Sequence, residues 1–255
     1  MKEVNAKVIA IEAVAKDFVH IVLAAPEIAQ CAKPGQFIQV NCGQAVYSLL
    51  PRPISIHRVK DGCLILLVQV KGEGTRWLAR RHPGDTVSFF GPLGNGFPLP
   101  EKGPVILAAG GIGVAPLVFL AEVLKNKGIP FTFLFGARNR EGLALLKELE
   151  TLNIDVQIAT EDGSVGQKGF VTGLLCGAKP ESVYACGPEP MLKALANWGK
   201  EEAVPTMLSL EARMACGVGA CRGCVTKIKR GEAVVYENVC NCGPVFNGNE
   251  VVFDD

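Results

Sequence analysis

Apolar and polar residues alternate in short runs over the first third of the chain, and the rhythm changes near residue 98. The runs 4–14, 18–23, 37–40, 53–58, 64–70 and 86–90 are rich in Val, Ile, Leu and Phe, and Pro34-Gly35, Asp61-Gly62 and Pro83-Gly84-Asp85 punctuate them. Six β segments at this spacing predict a small antiparallel barrel over residues 1–98. One helix interrupts the series, over 75–81, behind Gly72-Glu73-Gly74. A loop dense in glycine and proline, 91–98, marks the boundary. Beyond it, strands at 105–109, 131–135, 154–159 and 182–185 alternate with helices at 115–126, 141–150 and 190–198. Strand–helix alternation predicts a parallel sheet covered on both faces, assigned to residues 99–208. The remainder, 209–255, combines a cysteine-rich loop with short strands at 225–228, 233–236 and 251–253, and forms a small C-terminal domain.

Composition removes several function classes. With 26 basic and 25 acidic residues there is no electrostatic case for nucleic acid or an anionic membrane. Lys2, Glu3 and Lys7 fall where a signal peptide needs its apolar stretch, and ten cysteines without such a leader point to a reducing cytoplasm. Residues 104–121 carry no charge, close to the length of a membrane span, but Gly110-Gly111, Gly113 and Pro116 read instead as strand, turn and buried helix.

Cys216, Cys221, Cys224 and Cys240 follow C-x4-C-x2-C with a fourth cysteine after fifteen intervening residues, the plant-type spacing for a [2Fe–2S] cluster. Four-cysteine zinc sites ordinarily show two short C-x2-C knuckles. A disulfide framework is unnecessary in a chain of 255 residues, and the other six cysteines show no regular spacing. The loop glycines Gly217, Gly219 and Gly223 let backbone N–H groups turn toward sulfur. Such a cluster moves one electron at a time and does no substrate chemistry, so the chain reads as part of an electron relay. Cys242, two residues past Cys240, competes as fourth ligand on spacing alone.

Two further regions carry candidate binding residues. The turn Ala109-Gly110-Gly111-Ile112-Gly113-Val114-Ala115-Pro116 would let a phosphate-bearing ligand reach a helix N-terminus, although tight strand-to-helix packing explains it equally well. Cys186-Gly187-Pro188 ends the last strand of the same sheet, and open α/β sheets bind ligands at such carboxyl ends. A free cysteine like Cys186 is more often a small buried hydrophobe. In the barrel, Arg52-Pro53-Ile54-Ser55 sets a cation and a hydroxyl along one strand, and Gly74-Thr75 opens a helix. Taken singly, Arg52 reads as a surface ion pair and Gly74-Thr75 as an ordinary helix start. His20, His57 and His82 have no acid at a recognisable spacing and read as structural or exposed, so no catalytic acid or base is expected.

Together, R-P-x-S, G-x-G-T, A-G-G-x-G-x-A-P and C-G-P resemble the ferredoxin reductase superfamily, in which FAD lies between barrel and nucleotide domain. The segments Leu210-Glu211-Ala212-Arg213-Met214-Ala215-Cys216 and Cys240-Asn241-Cys242-Gly243-Pro244-Val245-Phe246 are similar to those of the electron-transfer subunits of B-type, NAD-linked dihydroorotate dehydrogenase. The resemblance spans essentially the whole chain and selects Cys240 over Cys242. It implies that Arg52, Pro53, Ile54 and Ser55 line FAD, with Ile54 where many members carry Tyr. It further implies that Leu67, Val68 and Gln69 meet FAD through backbone, and that Gly74 and Thr75 hold its pyrophosphate. Gly110, Gly111, Gly113, Cys186, Gly187 and Pro188 would meet NAD. The implied partner is an FMN-containing catalytic subunit that oxidises dihydroorotate in pyrimidine biosynthesis, two copies of each forming a heterotetramer. As apolar or Arg residues beside the ligand cysteines, Val218, Arg222 and Val245 are candidates for its interface, although covering the cluster from water within this chain accounts equally well for Val218 and Val245. A reductase subunit of a sulfhydrogenase or of a ferredoxin-linked transhydrogenase would share nearly every motif. A zinc-bearing interaction module on a degenerate reductase fold is the alternative from another class.

Overall fold

The computed structural model describes residues 2–43 and 49–254. The first six strands are β1 (Lys2–Ala15), β2 (Phe18–Ala24), β3 (Phe37–Val40), β4 (Arg52–Lys60), β5 (Cys63–Gln69) and β6 (Thr86–Leu93). They close into an antiparallel barrel in the order β1-β2-β5-β4-β3-β6. Alternating side chains fill it, with Ile21, Leu23, Ile38, Leu64, Leu66 and Phe89 fully buried. A short helix α1 (Pro26–Ala29) follows β2, and α2 (Glu73–Ala79) follows β5. The second helix starts two residues before the expected position. Thr75 Oγ1 accepts the N–H groups of Lys71 and Gly72, at 2.9 and 3.1 Å, so the cap closes behind an extended Gly72.

The second unit runs β7 (Val105–Gly110), α3 (Val114–Asn126), β8 (Phe131–Ala137), α4 (Leu146–Thr151), β9 (Val156–Thr160), β10 (Gln167–Lys168), β11 (Ser182–Cys186), α5 (Glu189–Glu201) and β12 (Thr206–Ser209). Helix α4 is shorter than its pattern suggests. Asn139 accepts the Gly142 N–H in a tight turn, and Leu143 and Leu145 enter the core as irregular chain before the helix begins. Helix α3 is buried on nearly all sides. Leu117, Leu120 and Leu124 pack on the sheet, while Phe119 and Val123 join the barrel core. The uncharged stretch 104–121 is therefore a buried strand, turn and helix, and among the described residues no helix is long and apolar enough to cross a membrane.

The last segment adds β13 (Val225–Arg230), β14 (Ala233–Asn238), β15 (Val245–Asn247) and β16 (Val251–Val252). Strands β14-β13-β16 form a small sheet, but β15 pairs with β12 and extends the large sheet, whose order is β10-β9-β8-β7-β11-β12-β15. The cysteine-bearing segment is thus knitted to the nucleotide sheet. It is also tied to the barrel, since Asn95 N–H donates to Gly243 O and Asn95 Nδ2 donates to Cys242 O at 2.9 Å.

Candidate electron-transfer site

The loop after β12 turns back on itself through Gly217 and Gly219, at φ +71° and +81°, a backbone region that favours glycine. A Cβ on Gly217 would lie 2.6 Å from Gln39 Cγ, so the loop sits directly on β3. This wrapping aims backbone donors at the cysteine sulfurs. Cys216 Sγ accepts from Val218 and Cys221, Cys221 Sγ from Gly223, Cys224 Sγ from Cys240, and Cys240 Sγ from Gly219 at 3.1 Å. The N–H groups of Cys221 and Val218 hold the Cys216 thiol down to about 6. Burial pushes the Cys240 thiol up to about 12, and Cys224 beside it adds to the shift. A bound metal centre would supply the positive charge that keeps such a buried thiol ionised. Beneath the loop, Gln39 is 2% exposed and neither of its amide atoms has a protein partner. The four residues fit a [2Fe–2S] cluster, whose sulfur ligands characteristically accept backbone N–H bonds.

Cys242 stands outside this arrangement. It is exposed and contributes its carbonyl to Asn95, whereas Cys240 is buried to 1% exposure and receives Gly219 N–H. Cys242→Ser should therefore leave iron content and the visible spectrum unchanged, and loss of half or more of the iron would reassign the fourth ligand. Of the two readings open for these valines, Val245 takes burial within the chain, packed in β15 against β12, while Val218 is 36% exposed beside the cysteines.

The barrel and nucleotide residues meet the loop at one cleft of about 210 Å³. Pro53, Ile54, Ser55, Leu67 and Gln69 line it from the barrel, and Ile112, Ala115 and Cys186 from the sheet. Val68 points the other way, into the barrel core, as strand alternation requires. Arg52 lies on the first turn of α2, where a Cβ at Gly74 would fall 2.8 Å from Arg52 Nε. Arg52, Gly74 and Thr75 are thus brought together, although Thr75 spends its hydroxyl on the helix cap. Phe37, Lys71, Ser209, Glu211, Ala212 and Met214 also line the cleft. No linear signal assigns these residues to it, because the 209–214 segment reads only as the approach to the cysteines.

At the sheet, the chain runs from β7 outward through β8 to β10, then returns to β11 on the other side. The two turns singled out in the sequence therefore flank the topological switch point, where open α/β sheets bind ligands. They touch: a Cβ at Gly113 would lie 2.2 Å from Cys186 O, and one at Gly187 3.0 Å from Gly110 Cα. Gly110, Gly111 and Gly113 line neither this cleft nor a second cavity of about 350 Å³, which Gly187, Pro188 and Glu189 border. Leu210, Glu211 and Ala212 form the wall shared by the two spaces. Burial first, and then the Glu211 carboxylate, pushes the Cys186 thiol upward, so it stays neutral.

The iron–sulfur cluster binding domain of dihydroorotate dehydrogenase B matches residues 211–252, and the oxidoreductase NAD-binding domain matches residues 107–197. The dihydroorotate dehydrogenase B (NAD(+)) electron transfer subunit of Desulforamulus reducens is 43% identical, over 99% of each chain. That of Geobacillus thermodenitrificans is 40% identical, over 91% of this chain and 92% of its own. A chain in the structure of NADH-dependent reduced ferredoxin-NADP oxidoreductase, reported for flavin-based electron bifurcation, superposes with a TM-score of 0.86 at 28% identity, covering 98% of this chain and 90% of that one. Barrel, switch-point sheet and four-cysteine loop define an iron–sulfur oxidoreductase of the ferredoxin-reductase type. Within that class, the chain belongs to the family of dihydroorotate dehydrogenase B (NAD(+)) electron transfer subunits.

Proposed function

We propose that this chain carries electrons from the FMN of a separate dihydroorotate-oxidising subunit to NAD, in pyrimidine biosynthesis in the cytoplasm, as part of a heterotetramer with two copies of each subunit. Three units share the work: residues 1–98 seat FAD, 99–208 receive NAD, and 209–255 hold the cluster through Cys216, Cys221, Cys224 and Cys240. Bound FAD exchanges two electrons with a nicotinamide and one with a [2Fe–2S] cluster, which is the chemistry needed to join the two carriers. The observation that carries this reading is the single cleft walled by Ser55 and Gln69 of the barrel, Ile112 and Cys186 of the sheet, and Glu211 and Met214 of the cysteine segment.

The chain's own residues bind and orient. Pro53, Ile54, Ser55 and the Leu67–Gln69 backbone form the flavin wall, and Arg52 with the Gly74–Thr75 turn receives the pyrophosphate. The glycines of 110–113 and 187 permit the two switch-point turns to touch, and Gly187-Pro188 opens onto the cavity beside the flavin cleft. No side chain is needed as a general base, since proton removal from dihydroorotate belongs to the partner. The test is reconstitution. This chain alone should reduce an artificial dye with NADH, and dihydroorotate-dependent NAD+ reduction should require both subunits. A catalytic subunit that reduces NAD+ equally well without this chain would overturn the reading.

The partner face should include Val218, which is exposed beside the cysteines. Apolar residues next to a cluster that exchanges electrons between subunits suit an interface core. Val218→Asp should keep the iron–sulfur spectrum and the NADH–dye activity of the isolated chain. Assembly with the catalytic subunit, and NAD-linked dihydroorotate oxidation, should fall together. Normal assembly and turnover would place the interface elsewhere.

A further inference from the structure

We propose that His20, His57 and Glu148 form a site for one divalent transition-metal ion of the Zn2+ class, clasping the barrel to the nucleotide-binding sheet. The three residues come from β2, β4 and α4, and their ligand atoms all lie within 4.8 Å of one another. Glu148 Oε2 is 3.2 Å from His20 Nε2 and 3.1 Å from His57 Nε2. Ligands about 2.0–2.1 Å from a tetrahedral Zn2+ are spaced about 3.3 Å apart, so the two separations from Glu148 already match such an ion. The stacked imidazoles, with centroids 5.1 Å apart, keep their ligand nitrogens within 4.8 Å of each other.

Three features mark this as a built site. The first is backbone. The register of β4 against β5 slips between Ile56 and Arg58, which places His57 in a bulge and turns its ring inward alongside the neighbouring Ile56. The second is the surrounding shell. His57 Nδ1 donates to Ala115 O at 2.9 Å, which fixes the ring and turns Nε2 toward Glu148, 3.2 and 3.1 Å from its two carboxylate oxygens. Glu148 Oε1 accepts from Arg58 Nη1 at 3.0 Å, and Arg58 in turn grips Glu122 with two bonds of 2.8 and 2.7 Å. The third is a buried nitrogen with no aligned partner. His20 Nε2 is buried and, despite its 3.2 Å approach to Glu148, makes no aligned hydrogen bond.

Charge points the same way. Two carboxylates, Glu122 and Glu148, face one guanidinium, Arg58, at a seam where side-chain exposures are 25%, 15% and 16%. Among these three side chains carboxylates outnumber guanidinium by one, and a bound cation would offset the difference. Two imidazoles and one carboxylate suit Zn2+ better than Mg2+ or Ca2+, and three protein ligands leave a position for water. His57 is fully enclosed, but His20 and Glu148 are 13% and 15% exposed, which provides a route for entry. Because Ala115 lines the flavin cleft, the site would also fix the first turn of α3 beside that cleft.

The test uses the flavin- and iron-loaded protein, stripped with a chelator, equilibrated with Zn2+ and desalted, with zinc, iron and FAD counted together. One zinc per chain is expected in the wild type, and background zinc in His20→Gln at unchanged iron and FAD. X-ray absorption at the zinc edge should show nitrogen and oxygen at about 2.0 Å with imidazole scattering. That measurement needs only the wild-type protein, so it decides the matter even if His20→Gln folds poorly. Sulfur scatterers at about 2.3 Å would put the ion on cysteines and overturn the site. Absence of bound zinc, or zinc retained by His20→Gln, would overturn it as well and leave the seam held by hydrogen bonds and protons alone.

Discussion

Cys221→Ser should strip the chain of its cluster while leaving most of its FAD in place. Cys221 belongs to a loop whose N–H groups already point at sulfur, and its own N–H donates to Cys216 Sγ at 3.4 Å. A serine oxygen is a harder, less acidic ligand than a thiolate, and removing one of four ligands leaves an iron with an open, water-accessible position. Cys221 is exposed, so water has immediate access. The residues proposed to seat FAD, Arg52–Ser55 and Leu67–Gln69, belong to the barrel, which closes without the loop. Glu211, Ala212 and Met214 share the cleft, so a modest loss of flavin affinity should accompany the loss of iron. Iron and flavin analysis of the purified variant, with NADH–dye activity, checks this. NADH–dye turnover should persist while dihydroorotate-linked NAD+ reduction in the reconstituted complex drops to background. Equal loss of iron and flavin would refute the separation of the two seats.

Arg52→Ala should weaken FAD retention about ten- to a hundredfold, because a charge-assisted hydrogen bond to a phosphate contributes about 1.5–3 kcal/mol and each 1.4 kcal/mol is about a factor of ten. The guanidinium lies across the first turn of α2, so close to Gly74 that any side chain there would strike it. The guanidinium charge therefore sits at the start of α2, beside the positive end of its backbone dipoles. Lysine should rescue only in part, since it lacks the planar fork. Equilibrium dialysis of FAD against the variant measures the effect, and a thermal melt of the flavin-free form separates binding from folding. Full occupancy after extensive dialysis would remove Arg52 from the pyrophosphate seat.

Gly74→Ala offers a structural comparison for the same reading. Its added methyl would collide with Arg52 Nε at 2.8 Å, a flexible side-chain atom that can swing aside. The fold should survive, and flavin affinity should fall in the same direction as in Arg52→Ala. Unchanged affinity would show that the guanidinium position over α2 is immaterial to binding.

The sequence by itself determined the elements whose signals are local. Period-two runs and turn residues specified the six barrel strands, and strand–helix alternation specified the parallel sheet. Cysteine spacing specified the cluster loop, because ligands on one tight turn must be close in sequence as well as in space. Helix boundaries moved where a side chain bonded nearby backbone, as Thr75 does by reaching back to cap α2 and Asn139 by reaching forward to Gly142 ahead of α4. Tertiary structure alone decided what contact between distant segments creates. It placed β15 beside β12 and so buried Val245, and it brought Lys71 and Glu211 into the cleft between barrel, sheet and cysteine segment. It also set Glu148 against His57, 91 residues earlier, although neither has a partner at any readable spacing. A periodic pattern records which face of an element is apolar. It does not record which other face that surface meets, and the cleft and the histidine seam exist only where the barrel, the sheet and the cysteine segment are packed together.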